Sequence, residues 1–339
     1  MPDPFRPTVL VTSHYDRAVV AAPMQRLAGW AQVVDARRGR CLTRAELLEC
    51  LPGAHAVIAS DESYTAEILG AAQDLFMIAR DGTGYDAIDL NAATECGILV
   101  TRAPVLHHAT ANTTIGLMIA LVRKISLADR GIRENRWNDR SLWLAPDLTG
   151  MTLGIVGFGQ VGTEVAKRAT AMGMSILIYN RSDVSAAAGK IGAKSVAMDE
   201  LLANSHVVSL HTRHTDTTAG MCNADFFAKM KKGTYFVNTA RGGLVDEGAL
   251  CEALSCGHLA GAALDVFARE PAEPDNPLLA FNNVLCTPHF AGDTTTTMAR
   301  AVESAVRQIA DCFAGKNPPH LINPQAWDNA RIHNLEAST

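Results

Sequence analysis

The chain has 339 residues, which at about 150 residues per domain suggests two domains. Hydrophobic residues make up 48% of the chain and charged residues 19%, enough apolar material for large cores, which excludes global disorder. The formal net charge is -5, and no run rich in Lys or Arg occurs, so we expect no nucleic acid among the partners.

The N-terminus shows no basic stretch followed by an apolar core, so no signal peptide is visible. The uncharged run between Arg102 and Arg123 contains Pro104 and Asn112, which favours a buried helix over a membrane span. The eight cysteines are scattered and form no Cys-x-x-Cys pair, as expected for reduced thiols. We therefore predict a cytoplasmic protein with no membrane partner.

Short runs rich in Val, Ile and Leu alternate with helical patterns along the first hundred residues, which is typical of parallel βα units. The predicted strands are Thr8–Ser13, Gln32–Asp35, Ala56–Ala59, Phe76–Ala79 and Ile98–Thr101. The predicted helices are Asp16–Leu27, Thr43–Cys50, Ala66–Ala72 and Asn91–Cys96, followed by one long helix over about Ala109–Asp129. Beyond it, Trp137 and Trp143 are expected to be packing residues.

A second series of alternations begins at Thr152. Its predicted strands are Thr152–Val156, Ser175–Tyr179, Val207–His211, Tyr235–Asn238, Gly261–Val266 and Asn283–Cys286. Helices lie between most of them, and a final helix covers about Thr294–Phe313. No repeat of 20–50 residues is visible. The pattern predicts an α/β protein with two doubly wound parallel-sheet domains.

A glycine-rich turn lies between the first strand of this second series and a helix pattern over Glu164–Met172. A G-x-G-x-x-G motif in this context predicts dinucleotide binding, although an ordinary βα turn is the alternative. The first glycine permits the tight turn, the second admits the pyrophosphate, and the third allows close packing of helix on strand. The predicted cofactor-binding residues are Gly157, Phe158, Gly159, Gln160, Val161 and Gly162.

The residues after the next strand indicate which dinucleotide is bound. An acidic residue about 20 positions after the glycines holds the ribose hydroxyl of NAD. Here Asn180, Arg181 and Ser182 occupy that place, with no carboxylate before Asp183. Because Arg181 can pair with a 2′-phosphate, we favour NADP over NAD. The alternative is that Arg181 is solvated and both cofactors bind.

Three later segments each place a charged side chain just after a buried strand, where open α/β sheets bind ligands. Arg241, Glu270 and His289 occur in that order. Arg241 can hold a carboxylate, and His289 can donate or accept a proton. Glu270, if paired with His289, favours the imidazolium and orients it. The three together predict acid–base chemistry on an anionic substrate.

With these motifs, the chain resembles the D-isomer-specific 2-hydroxyacid dehydrogenases over about residues 6–325. The separations of 29 residues from Arg241 to Glu270 and 19 from Glu270 to His289 match that family. The segment Arg80–Asp86 resembles its substrate loop, so backbone amides of Gly82, Thr83 and Gly84 are expected to bind the substrate carboxylate.

The resemblance implies a mechanism in which a hydride passes from NAD(P)H to the keto carbon of a 2-oxo acid, with D stereospecificity. His289 would supply the proton, Arg241 would bind the 2-oxo-carboxylate, and Glu270 would favour the imidazolium. Asp265 would contact the nicotinamide carboxamide.

The resemblance also implies two domains with a cleft between them, and a homodimer formed through the nucleotide domain. A flavodoxin-like substrate domain would comprise 1–103 and 294–339, and a Rossmann NAD(P)-binding domain 104–293. Within the latter, Thr239 and Ala240 belong to the expected cofactor site.

Several positions depart from the family pattern. Asn112 replaces a frequent Glu, and the segment from His211 to Thr215 lacks the usual Pro. Arg102 and His107 fall where the cleft mouth is expected, so Arg102 is a candidate to bind a second anionic group of the substrate; the alternative is a solvated side chain. His107 and the adjacent His108 are expected to splay apart, and no third ligand has suitable spacing, so no metal is predicted.

The main alternative function is a dinucleotide-sensing binding protein, like the corepressors related to this family, which usually carry longer tails. Formate oxidation in the superfamily uses Gln at the position of Glu270, and a methyltransferase would lack the Arg–Glu–His series. Glyoxylate, hydroxypyruvate, a branched 2-oxo acid and phosphohydroxypyruvate all remain open as substrates, as does the physiological direction of the reaction.

Overall fold

The computed structural model describes residues 5–13 and 15–332. Its strands are β1 Thr8–Val11, β2 Gln32–Asp35, β3 Ala56–Ala59, β4 Met77–Arg80, β5 Leu99–Thr101, β6 Thr152–Val156, β7 Ser175–Tyr179, β8 Lys194–Ser195, β9 Val207–Leu210, β10 Thr234–Asn238, β11 Leu259–Leu264 and β12 Val284–Cys286. Its α-helices are α1 Ala21–Ala28, α2 Arg44–Cys50, α3 Ala66–Ala71, α4 Leu90–Glu95, α5 His107–Val122, α6 Ile125–Arg133, α7 Arg140–Trp143, α8 Gln160–Ala171, α9 Ser185–Gly189, α10 Met198–Asn204, α11 Ala224–Lys229, α12 Glu247–Ser255 and α13 Thr295–Phe313.

The chain divides into two compact units. Unit 1 consists of the residues up to Leu106 and those from Asp293 onward, and unit 2 is His107–Gly292. The sequence predicts that the first segment of unit 1 ends at residue 103, three residues earlier than in the structure. It predicts that the second segment begins at residue 294, one residue later than in the structure. Unit 1 is therefore discontinuous in the chain, whereas unit 2 is continuous.

Unit 1 is a five-stranded parallel sheet in the order β2-β1-β3-β4-β5, the flavodoxin-like order. Alternate residues of β1 point to opposite faces: Val9 and Val11 join the core under α1 and α13, and Leu10 joins the core on the other face. Because both faces are covered at β1, β3, β4 and β5, these strands are largely apolar, whereas the edge strand β2 is mostly exposed. Each fully buried Val or Leu contributes about 1.5–3 kcal/mol.

Unit 2 is a seven-stranded parallel sheet in the order β12-β11-β10-β9-β6-β7-β8. Counted from β6, this is the Rossmann order 3-2-1-4-5-6 with one strand added at the far edge. Helices cover both faces, with Leu153 and Ile155 of β6 in one core and Val156 in the other. The predicted fold class, two doubly wound parallel-sheet units, is confirmed.

The long helix predicted over Ala109–Asp129 is wrong, because the structure breaks it in two. Lys124 lies between α5 and α6 with a left-handed φ of +54°, and the two helix axes differ by 60°. Core residues lie all along α5, whereas α6 leaves Ile125 and Ile132 exposed. The apolar run alone does not reveal this change of environment.

Three smaller expectations also need correction. The helix predicted from Asp16 begins at Ala21, and the two-residue strand β8 was missed because it is short and polar. Trp143 packs against Gly131, but Trp137 is 64% exposed and is not a packing residue.

No single helix in the described residues is long and apolar enough to cross a membrane. The bent pair α5 and α6 satisfies the length and composition criteria only when the two helices are taken together.

Candidate active site

The glycine turn of unit 2 connects β6 to α8, and two of its glycines are needed for packing. Gly157 has φ +100°, and a Cβ there would lie 2.7 Å from the backbone of His211 and Thr212. A Cβ on Gly162 would collide with the carbonyl oxygen of Gly157. Gly157 therefore lets the loop after β9 pack directly against the turn, and Gly162 lets α8 approach the turn.

Gly159, the middle glycine, faces open space and has no close neighbour. No heavy atom lies within 4 Å of the position where its Cβ would project. It is the N-terminal cap of α8, whose first-turn N–H groups at Gln160 and Val161 have no partner within the helix. Open space above a helix N-terminus fits a pyrophosphate, because the helix dipole and the N–H groups both favour an anion.

The residues predicted to select the cofactor lie beside this turn, just after β7. The Asn180 side chain accepts from the Phe158 N–H at 3.0 Å and donates to the Ser182 hydroxyl at 2.8 Å. Asn180 thus ties the glycine turn to the next loop. Arg181 and Ser182 are exposed at the surface of that loop.

The three charged residues predicted for catalysis follow three neighbouring strands. Arg241 comes after β10, Glu270 after β11 and His289 after β12, and these strands are adjacent in the sheet. Because all three strands are parallel, the residues lie at the same carboxyl edge.

Glu270 and His289 form a direct pair. His289 Nδ1 lies 2.6 Å from Glu270 Oε2, and each side chain is 35% exposed. Glu270 Oε1 accepts from the backbone N–H of Phe267 at 3.0 Å, which fixes the carboxylate. Because the carboxylate engages Nδ1, Nε2 is the ring nitrogen through which the imidazole would exchange a proton with a substrate.

The Arg241 loop packs directly on the Glu270 loop. A Cβ on Gly242 would collide with the carbonyl group of Phe267, so only glycine permits this approach. Asn238, at the end of β10, accepts from the N–H of Ala240 at 3.0 Å and donates to the carbonyl of Arg241 at 2.9 Å. The Arg241 guanidinium donates to the carbonyl of Ala240 at 2.7 Å. The backbone around Arg241 is therefore held in one conformation.

Helix α5 supports the same edge of the sheet through two hydroxyl groups. The Thr114 hydroxyl lies 2.7 Å from that of the buried Thr239, and the Thr113 hydroxyl donates to the carbonyl of Ala291 at 3.1 Å. Thr239 is thus structurally tied to α5, and its predicted contact with the cofactor stays a prediction.

Asp265 lies fully buried at the end of β11 and contacts the loop that carries His289. Its Oδ1 accepts from the Thr287 hydroxyl at 2.6 Å and from the Phe290 N–H at 3.1 Å, and its Oδ2 accepts from the Ala291 N–H at 2.9 Å. The predicted contact of Asp265 with the nicotinamide carboxamide stays a prediction.

Glu247 is a positioning residue that the sequence interpretation missed. Its Oε1 accepts from the N–H of Ala268 at 2.7 Å, and its Oε2 accepts from the side-chain amide of Asn276 at 2.9 Å. It thereby fixes the segment that carries Glu270. In the sequence, Glu247 follows the helix cap Asp246 and looks like an ordinary acidic residue in the first turn of a helix. The spacing of the motifs therefore gives no sign that Glu247 holds the Glu270 segment.

The predicted substrate loop of unit 1 rests on a buried charge cluster. The Arg80 guanidinium is paired with Asp81 and Asp61, and it lies directly under Gly82, where a Cβ would collide with it. Burial raises the pKa of Asp81 to about 7, although Arg80 opposes that shift. Burial also raises the pKa of the neighbouring Glu62 carboxyl.

The backbone of this loop is tied to the segment after β5. The N–H of Ala103 donates to the carbonyl of Gly82 at 2.8 Å, and the Thr83 hydroxyl donates to the carbonyl of Ala103 at 3.5 Å. Gly84 follows in the same turn. Arg102 is half-buried; burial of His320, together with the positive charge of Arg102, lowers the pKa of His320.

His107 and His108 do not splay apart as expected. Their ring centroids lie 4.3 Å apart with 42° between the planes at the start of α5, and His108 Nδ1 lies 3.1 Å from Glu164 Oε2. Within the described ranges, no group of three or more His, Cys, Asp or Glu side chains is placed to bind a metal ion.

The order of the strands, the glycine turn and the paired Glu270 and His289 define a dinucleotide-linked oxidoreductase type of site. Residues 115–291, more than half of the chain, match the family model described as D-isomer specific 2-hydroxyacid dehydrogenase, NAD binding domain. The chain therefore belongs to the D-isomer specific 2-hydroxyacid dehydrogenase family.

Similar proteins carry two kinds of name. The chain is 45% identical over 255 residues to a D-3-phosphoglycerate dehydrogenase of Archaeoglobus fulgidus, covering 75% of this chain and 48% of that one. It is 38% identical over 291 residues to a glyoxylate reductase of Thermofilum pendens, covering 84% and 85%. The chain thus spans about half the length of the phosphoglycerate dehydrogenases it matches.

A solved structure is also similar. A glyoxylate reductase from Paecilomyes thermophila superposes with a TM-score of 0.83 at 30% identity, covering 95% of this chain and 100% of that one.

Proposed function

We propose that the protein transfers a hydride between NAD(P)H and a small 2-oxo acid to give the D-2-hydroxy acid, in the reductase direction. The observation that carries the proposal is the pair of Glu270 and His289, 2.6 Å apart, on the sheet edge that also carries Arg241. Glyoxylate reductases among the similar proteins support the direction.

Each of the three residues has a defined chemical task. His289 in its imidazolium form donates the proton at Nε2 to the substrate oxygen, and Glu270 stabilises that form through Nδ1. Arg241 binds the substrate carboxylate and withdraws charge from the adjacent carbonyl. The reduced nicotinamide, when bound, supplies the hydride.

The described residues fit a nicotinamide dinucleotide. Gly159 leaves open space at the N-terminus of α8, where backbone N–H groups would hold the pyrophosphate. We propose NADP as the preferred form because Arg181, exposed beside the glycine turn, can pair with a 2′-phosphate. Arg181→Ala should lower kcat/KM with NADPH about tenfold and leave the value with NADH nearly unchanged. Equal effects on both cofactors would contradict the proposal.

The substrate class is a small anion with a 2-oxo-carboxylate. The backbone amides of Gly82, Thr83 and Gly84 are proposed as further carboxylate donors, as the family resemblance suggests. Arg102 is proposed to bind a second anionic group. Arg102→Ala should then raise KM for phosphohydroxypyruvate but not for glyoxylate; an equal rise for both substrates would exclude that role.

The deciding experiment is a turnover assay with a panel of 2-oxo acids and both cofactors. His289→Ala should abolish turnover while NADPH binding, followed by nicotinamide fluorescence, stays close to wild type. Dinucleotide binding without turnover of any 2-oxo acid would instead favour a sensing protein of the corepressor type, which the names of the similar proteins do not favour.

We also propose a homodimer formed through unit 2. The segment from α6 to the residues after α7 exposes five large apolar side chains, whereas soluble monomers rarely group such residues. They are Ile125, Ile132, Trp137, Leu142 and Leu144. Trp137→Asp should shift the mass measured by sedimentation equilibrium toward the monomer, and Phe5→Asp, on unit 1, should not.

The cytoplasm remains the proposed location. The eight cysteines are all free thiols, which suits a reducing compartment.

A further inference from the structure

His289 has an unfavourable backbone conformation. Its φ of +53° lies in the left-handed region, which costs a residue other than glycine about 1–2 kcal/mol. Such a conformation persists only where the surrounding structure stabilises it. The hydrogen bonds around His289 therefore identify the group that holds it.

Asp265 is that group, because it binds the loop before, at and after His289. Its backbone carbonyl accepts from the His289 N–H at 2.8 Å. Its carboxylate accepts from Thr287 on one side, and from Phe290 and Ala291 on the other. Hydrogen bonds to a carboxylate are about twice as strong as neutral ones, and this carboxylate is fully buried.

We propose that Asp265 is a positioning residue that holds the imidazole of His289 in line with Glu270. The proposal rests on the proposed function, in which His289 is the proton donor. If these hydrogen bonds are lost, the backbone of His289 can relax to an ordinary conformation, which turns the ring away from Glu270. A misplacement of about 1 Å in an active site can lower the rate about 100-fold.

This role differs from the one implied by family resemblance, a contact with the nicotinamide carboxamide. The two roles predict different results for the variant Asp265→Asn. Asparagine keeps the size of the side chain but turns one acceptor into a donor, which opposes the N–H of either Ala291 or Phe290.

We expect Asp265→Asn to lower kcat about 30-fold or more, with the Kd for NADPH changed less than about threefold. Thr287→Val, which removes only one donor, should lower kcat about three- to tenfold. Thr287→Ser keeps the hydroxyl and should restore kcat to within about twofold of wild type. In both impaired variants, the alkaline limb of the pH–rate profile for reduction should move to lower pH.

A cofactor analogue separates the two roles. In 3-acetylpyridine adenine dinucleotide phosphate, an acetyl group replaces the carboxamide, which removes the N–H₂ that a carboxylate could bind. If Asp265 only positions His289, wild type and Asp265→Asn should show the same ratio of kcat/KM with the natural cofactor to kcat/KM with the analogue. A loss of that preference in the variant, with weaker NADPH binding, would overturn the proposal.

A measurement without turnover keeps the test independent of the proposed function. The Nδ1 proton shared by His289 and Glu270 should give a strongly downfield NMR signal that disappears in Asp265→Asn and persists in Thr287→Ser. If wild type shows the signal but reduces no 2-oxo acid, the proposed function fails and the positioning stands. If Asp265→Asn is folded and keeps the signal, the positioning fails.

Discussion

The carboxyl edges of the two sheets use charge in opposite ways. In unit 1, Arg80 and Asp81 are buried together, and no more than a small part of either side chain meets solvent. In unit 2, Glu270 and His289 form an equally direct pair but remain 35% exposed. Buried pairs stabilise a fold only while both partners are present, whereas a half-exposed pair can exchange protons with a ligand. Two similar folds thus use one charge pair for structure and the other for chemistry.

The largest expected effect is on the buried pair. Arg80→Met removes the guanidinium from Asp81 and from the underside of Gly82, which should lower the free energy of unfolding by about 3–5 kcal/mol. Urea denaturation at neutral pH measures this loss. Arg44→Met, which breaks an exposed pair with Glu67, is the matched control and should unfold like wild type. A similar free energy of unfolding for both variants would contradict the expected difference between a buried and an exposed ion pair.

The next effect is on activity rather than stability. Glu270→Gln keeps the shape of the side chain but removes the negative charge beside His289, so kcat for reduction should fall about 100-fold. The urea midpoint should change little, because the pair is half-exposed. Glu273→Gln, three residues further on and paired with Arg269 at the surface, should retain wild-type kcat.

The pH dependence of stability should separate the two edges as well. Burial raises the pKa of Asp81 from an ordinary value near 4 to about 7. The folded state therefore holds this proton more tightly than the unfolded state, and the stability that Asp81 contributes is lost as pH rises from about 4 to 7. The unfolding free energy of wild type minus that of Asp81→Asn should fall across that range by something on the order of 3 kcal/mol. A difference that is independent of pH would show that Asp81 stays ionised throughout.

The smallest effect is expected at Glu247. Glu247→Gln weakens one of the two contacts that hold the Glu270 segment, so kcat should fall about fivefold, equivalent to about 1 kcal/mol. The affinity for NADPH should stay the same. A loss as large as that of Glu270→Gln would mean that Glu247 acts on the reacting groups directly.

The strands were the most predictable part of the fold. Ala56–Ala59 and Thr152–Val156 agree with the structure at both ends, because strands covered on both faces are short continuous apolar runs. The rule that ligands bind at the carboxyl ends of such strands was enough to bring Arg241, Glu270 and His289 to one edge.

The supporting contacts were not predictable in the same way. Asp265 reaches Thr287 and Ala291 across more than twenty residues of chain, and Glu247 reaches Ala268 across a similar gap. Periodicity describes which face a residue occupies within one element, not which loop it meets after the elements assemble. The break at Lys124 was missed for a related reason, since one left-handed residue leaves the apolar pattern intact.

The discontinuity of unit 1 has a consequence for synthesis on the ribosome. One core of this unit joins Val9 and Ile58 to Ala301 and Ile309 of α13, which are made about 240–300 residues later. At about 5–20 residues per second, the nascent N-terminal strands therefore wait tens of seconds for the helix that covers one face of their sheet. The continuous unit 2 emerges whole during that interval, so we expect it to fold first and the N-terminal strands to need protection from aggregation until the last helix is released.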